Sequence, residues 1–160
     1  MKKIDAFTLI EVLVVIAILA GLVVILYPNF MDMRIRARDT QRKSDLKQIQ
    51  KALESYKDDQ YPPSYIPTAN FPTVCSTWSE SGHMYMSKVP GDPSGTCATP
   101  KKYYYVRNPT GTIGETLEYL LGACLENTTD PDLVTCPDDF FTVSGIACSF
   151  PRKCYLITQP

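Results

Sequence analysis

Val12-Leu13-Val14-Val15-Ile16-Ala17-Ile18-Leu19-Ala20-Gly21-Leu22-Val23-Val24-Ile25-Leu26 is an unbroken apolar run, interrupted chemically by nothing but Gly21. Widened to residues 7–30, the stretch holds one charged side chain, Glu11. Those 24 residues make about 36 Å of helix at 1.5 Å per residue, a match for a hydrocarbon core of roughly 30 Å. Many of them are Val and Ile, poor helix formers in water. In lipid the helix is compelled, because every backbone polar group must be satisfied within the segment. Residues 7–30 therefore read as a transmembrane helix.

The flanks decide what kind of segment it is. Ahead of it stand Met1-Lys2-Lys3-Ile4-Asp5-Ala6, and the lysine pair favours a cytoplasmic amino terminus with the remainder exported. The run ends in Leu26-Tyr27-Pro28-Asn29-Phe30, with none of the small-x-small cleavage pattern of a secretory signal peptide. The apolar segment is thus expected to stay on the mature protein, with any cleavage ahead of it. Glu11 needs an explanation, since a carboxylate at the centre of a membrane helix costs about 2.5–3.5 kcal/mol. Either it sits near the headgroups in the first turn, favoured by the helix dipole, or it pairs with a positive charge on another chain.

The whole chain has 160 residues, room for one domain and one extended element, which excludes a multidomain enzyme. Sixteen Lys and Arg against 17 Asp and Glu give a net charge of −1, no electrostatic reason to hold a polyanion. Arg34, Arg36 and Arg38 form a local cluster, but Asp32 and Asp39 flank it and it lies just past the membrane exit. Lipid headgroups suit it better than nucleic acid.

Beyond Pro28, residues 31–59 continue as a helix with eight basic and six acidic side chains, a mixture that reads as a solvated face. Leu46, Ile49, Leu53 and Tyr56 recur at spacings of 3, 4 and 3, the stripe of a 3.6-residue period that must bury against the carboxy-terminal region. Residues 7–59 as one helix would measure about 80 Å. Tyr61-Pro62-Pro63 ends it. From there to Pro100 the chain is rich in turn pairs and reads as an irregular loop with a short helix near residues 84–88. Tyr103-Tyr104-Tyr105-Val106, residues 119–125 and Tyr155-Leu156-Ile157 have strand character, and Thr110-Gly111-Thr112 supplies a turn. The three tyrosines read as sheet packing.

Ala6-Phe7-Thr8-Leu9-Ile10-Glu11-Val12-Leu13 and the apolar residues after it resemble the class III signal of type IV pilins and type II secretion pseudopilins. Asp59-Gln60-Tyr61-Pro62, Val89-Pro90-Gly91-Asp92-Pro93-Ser94-Gly95, Tyr103-Tyr104-Tyr105 and Leu125-Glu126-Asn127 are similar to the major pseudopilin branch. Residues 1–60 carry the specific part of the resemblance; 61–127 match as short motifs and 128–160 do not match. It implies an α+β, type IV pilin-like fold in which a long amino-terminal helix packs on a small antiparallel β-sheet with disulfide-bearing loops. It implies a leader, 1–6, cut by prepilin peptidase between Ala6 and Phe7, and N-methylation of Phe7. The family mostly carries Gly before the cut, so Ala6 departs from its pattern. Residues 7–30 would be the transmembrane and polymerisation helix, 31–59 its amphipathic continuation and 60–160 the headpiece. Glu11 would attract the amino terminus of a neighbouring subunit and set register, an attraction strengthened in a low-dielectric surrounding. Pro28 would kink the helix, since it removes an N–H and clashes with the preceding turn.

All six cysteines, Cys75, Cys97, Cys124, Cys136, Cys148 and Cys154, follow the apolar segment, as disulfides of an exported domain would. Six allow fifteen connectivities. Short loops suggest Cys124–Cys136 and Cys148–Cys154, with Cys75–Cys97 left over, although spacing alone does not settle geometry. Zinc is disfavoured by the lack of any Cys-x-x-Cys and by a single histidine, His83. Asp130, Asp132, Asp138 and Asp139 crowd one loop, where converging carboxylates could hold a structural calcium. The resemblance points the same way, because major pseudopilins carry calcium in a carboxy-terminal loop. No catalytic motif is present, neither a phosphate loop nor a nucleophile elbow nor His-Glu-x-x-His. The expected protein is a filament homopolymer subunit anchored in membrane lipid. Its expected partners are minor pilins or pseudopilins, prepilin peptidase, a membrane platform protein and an assembly ATPase. The alternative is a single-pass anchored binding module with an uncleaved signal anchor.

Overall fold

The computed structural model describes residues 8–107, 117–137, 148 and 153–159, without the side chains of Ile25, Pro28 and Asn29. Its chain divides into two units, Met1–Ala37 and Arg38–Pro160. Helix α1, Leu9–Asp59, starts in the first and ends in the second.

In the first unit α1 begins at a capping box. The Glu11 N–H donates to Thr8 Oγ1 at 3.3 Å, and Glu11 Oε2 accepts from the Thr8 N–H at 2.8 Å and hydroxyl at 2.7 Å. Two orphan donors of the first turn are thereby satisfied reciprocally. The apolar side chains that follow are exposed all round, from Leu9 at 82% to Val24 at 74%. Among the described residues no helix is long and apolar enough to cross a membrane.

In the second unit the expected stripe is the core. Leu46, Ile49, Ala52, Leu53 and Tyr56 are buried with Tyr65, Ile66, Trp78, Val89, Tyr103, Tyr105, Tyr119, Leu121 and Ala123. The sheet against them is antiparallel throughout. It consists of β3 (Tyr104–Arg107), β4 (Tyr119–Ala123), β5 (Val134–Thr135) and β6 (Lys153–Thr158), in the order β3-β4-β6-β5. The two-residue period separates its faces. Tyr105, Tyr119, Leu121 and Ala123 join the helix-side core, whereas Tyr104, Leu120, Cys124, Cys154 and Leu156 form a second cluster.

Residues 84–88 are not helical. Met84 to Met86 lie in β2 (His83–Met86), which pairs with β1 (Trp78–Glu80). Ser81 and Gly82 between them have φ of 51° and 86°, the two positive values of a type I′ turn, whose twist matches that of the strands it joins. The hairpin presents Trp78 to Tyr56, Phe71 and Tyr85, with ring centroids 5.3–6.2 Å from its own. Thr110-Gly111-Thr112 lies outside the described residues.

Candidate functional site

The charged face of residues 38–59 is only partly solvated. Asp39, Arg42 and Asp45 are buried, which corrects the expectation from mixed charge alone. Arg42 is the centre of a charge network. Its Nε and Nη2 take Asp92 Oδ2 and Oδ1 at 2.7 and 3.0 Å, Nη1 takes Asp39 Oδ1 at 2.7 Å, and Nη2 meets Glu126 Oε1 at 2.8 Å. Bidentate pairing of this kind suits the planar guanidinium fork. Arg38 grips the same Glu126 with Nε and Nη2. Asp39 accepts the backbone N–H groups of Glu126 and Asn127 at 2.9 and 2.8 Å.

Local backbone geometry delivers Asp92. A Cβ on Gly91 would stand 2.8 Å from the Lys101 carbonyl oxygen and 2.5 Å from a Val74 methyl, so only glycine fits there. Asp92 donates its N–H to Lys101 O at 3.0 Å and accepts the Ser94 N–H at 2.8 Å, an Asx turn. Burial opposes the charges of Arg42 and Asp92, but their pairing outweighs it. The guanidinium is held above, and the Asp92 carboxyl below, its ordinary range. Arg38, then Arg42, also lowers Glu126 against the opposing effect of burial. Asp45 moves the other way: burial and the nearby Asp92 charge raise it, against a hydrogen bond from Tyr103 OH at 2.8 Å.

Lys43, one residue on, reaches a different loop. Its ammonium meets Asp130 Oδ1 and Oδ2 at 2.7 and 2.9 Å and Asp132 Oδ2 at 2.7 Å. Burial notwithstanding, this pairing lowers Asp130. Asp130 and Asp132 are thus brought together, around a lysine. Calcium takes six to eight oxygens, and these two carboxylates are already engaged. Among the described residues no three metal-ligating side chains converge; Asp138 and Asp139 lie outside them.

The cysteines follow the expected pairing once. Cys75–Cys97 is formed, but the second disulfide is Cys124–Cys148, and Cys136 and Cys154 are thiols. Cys124–Cys136 and Cys148–Cys154 are therefore both corrected: loop length favoured sequence neighbours, whereas the fold brings Cys148 to Cys124, directly after β4. Ala6 and Phe7 lie outside the described residues, as does the Pro28 side chain. Glu11 is in the capping box. Sequence reading passed over that role although Thr8-Leu9-Ile10-Glu11 spells the T-x-x-E pattern. It also passed over the Arg42 network, whose legible part was the i, i+3 spacing of Asp39 and Arg42.

The prokaryotic N-terminal methylation motif matches residues 1–27. Type II secretion system core protein G of Pseudomonas aeruginosa is 35% identical over 129 residues, 74% of this chain and 83% of that protein. Its namesake in Aeromonas hydrophila is 30% identical over 140 residues, 82% and 92% of the two chains. That of Escherichia coli K12 is 31% identical over 100 residues, 56% and 66%. No solved structure matches the chain.

Proposed function

From the premise that this chain belongs to the type II secretion core protein G family, the major pseudopilins, we propose how its parts share the work of building a filament. The chain is a prepilin-peptidase-processed structural subunit and not an enzyme. It is membrane-anchored and extracytoplasmic, and it self-assembles with other secretion components. Residues 1–6 are the leader, and the cut between Ala6 and Phe7 leaves Phe7 as the methylated amino terminus. Residues 7–30 cross the membrane once before assembly, with the amino terminus in the cytoplasm, and pack in the filament afterwards. Residues 31–59 carry the headpiece, 60–160. Minor pseudopilins, a platform protein and an ATPase are the partners that build and drive the polymer.

The observation that carries this reading is the exposure of the described apolar side chains of the segment, with Leu13, Ile16 and Leu19 each about half accessible or more. Apolar side chains exposed on every face of a helix need a cover of lipid or of other copies. Glu11 sets subunit register by receiving the neighbour's Phe7 amino group, and Pro28 bends the helix for packing.

Two experiments test the proposal. Co-expression with the cognate prepilin peptidase should yield a chain starting at Phe7 and heavier by one methyl group; an intact Met1 start would return the reading to an anchored binding module. Glu11→Gln separates the carboxylate's two roles, since glutamine keeps a capping box but has no charge. Loss of filaments in Glu11→Gln with retained membrane insertion supports the register role. Filament yield equal to wild type would sink it.

A further inference from the structure

Four sulfurs gather in the second cluster, on the sheet face opposite the helix-side core. Cys124 follows directly on β4 and Cys154 lies in β6; both share this cluster with Cys136, and Cys148 packs on it. In the β5–β6 register Cys154 faces Val134. Side chains alternate along an extended chain, so Cys136, two residues past Val134, falls on the same face. Cys136 Sγ lies 4.0 Å from Cys148 Sγ, one half of the Cys124–Cys148 bridge. It also hydrogen-bonds with the Cys154 thiol, which is fully buried while Cys136 is 7% exposed.

We propose that Cys136 and Cys154 are the site of a third disulfide, closed when the chain meets a disulfide-class oxidant such as oxidised glutathione or a thiol oxidoreductase. Cys136, the more accessible of the two, loses its proton and attacks the oxidant's disulfide. One oxidant thiolate leaves, and a mixed disulfide on Cys136 remains. Cys154 then gives up its proton and attacks the Cys136 sulfur, expelling the second oxidant thiolate. The balance is one protein S–S bond formed, one oxidant S–S bond reduced, and two protons and two electrons transferred. Burial and contact with Cys136 raise the Cys154 pKa, so its thiol is the resolving partner and not the initiating nucleophile.

The bridge has a mechanical role. Strand β5 is two residues long and, among the described strands, pairs with β6 alone. A Cys136–Cys154 bond would pin it covalently, and its loop would overlap the Cys124–Cys148 loop, so neither could open without straining the other. The acidic turn that holds Lys43 ends immediately before β5.

The purified full-length chain, equilibrated with oxidised glutathione, denatured in N-ethylmaleimide and digested with trypsin and Asp-N, tests this. The cuts available after Arg152 and before Asp130 and Asp138 separate the four cysteines. No maleimide adduct and a disulfide-linked peptide pair holding Cys136 and Cys154 are expected. Adducts on both Cys136 and Cys154 would overturn the proposal. So would a Cys136–Cys148 linkage, which would make the 4.0 Å approach an exchange site instead.

Discussion

Leu9–Asp59 is one α-helix, yet its two parts draw on different surroundings. Leu19 is 54% exposed, whereas Leu46 and Leu53 are fully buried. The early part has apolar side chains on every face, and none of those described is buried. The later part confines them to one stripe and turns its charges into anchors for two loops. Apolar content alone therefore does not make a core: the narrower stripe has the partners. A helix hydrophobic all round is completed by its environment, and an amphipathic one by its own chain.

The comparison breaks most severely at Arg42. Arg42→Met leaves Asp39 and Asp92 buried without their cation, and the headpiece should lose about 3–5 kcal/mol of stability, read from urea unfolding of the detergent-extracted chain. Loss under 1 kcal/mol would mean that the two carboxylates find water or another partner. Leu53→Ala should cost about 2–5 kcal/mol by the same measurement, through the cavity it leaves in the core. Acid should weaken the headpiece and spare the early helix. Asp92, Glu126 and Asp130 have folded pKa values held below their ordinary 3.8, 4.5 and 3.8. Their stabilisation is complete above those values and is lost as pH falls through the folded ones. Asp45, shifted upward, contributes oppositely: its stabilisation is present at low pH and fades as pH rises through its folded pKa. The urea midpoint should fall between pH 5 and pH 3, less steeply in Arg42→Met, which lacks the cation that depresses two of the carboxyls. At the small end, Leu19→Ala should change headpiece unfolding by under about 0.5 kcal/mol. A larger change would show that the early helix does contribute to the headpiece's own stability.

How far the sequence could be read follows the same division. The later helix was legible because Leu46, Ile49, Leu53 and Tyr56 repeat at a helical period, and all four are buried. Residues 103–106, 119–125 and 155–157 were legible as strands through their aromatic and branched character, with boundaries displaced by a residue or two. The hairpin was missed at Met84 because its signal is the Ser81-Gly82 turn, and the turn-rich run around it hid two short strands. Asp39 and Arg42 read as surface charges because burial of an ion pair depends on partners 50 to 87 residues away, Asp92 and Glu126, beyond the reach of local pattern. Two of the three cysteine pairings failed for a related reason, with only Cys75–Cys97 as expected: loop length ranks pairings by entropy, while tertiary folding decides which sulfurs meet.

The order β3-β4-β6-β5 places residues 153–158, which follow the other three strands along the chain, inside the sheet and not at its rim. The β4–β6 and β5–β6 ladders both depend on that segment. Of the four strands described in this sheet, the one that joins β4 to β5 is therefore synthesised last, and until it arrives β4 has one open edge and β5 has no partner among the described strands. The headpiece cannot close on a partly delivered chain. Closure of the sheet waits on the delivery of residues 153–158, which both neighbouring strands need.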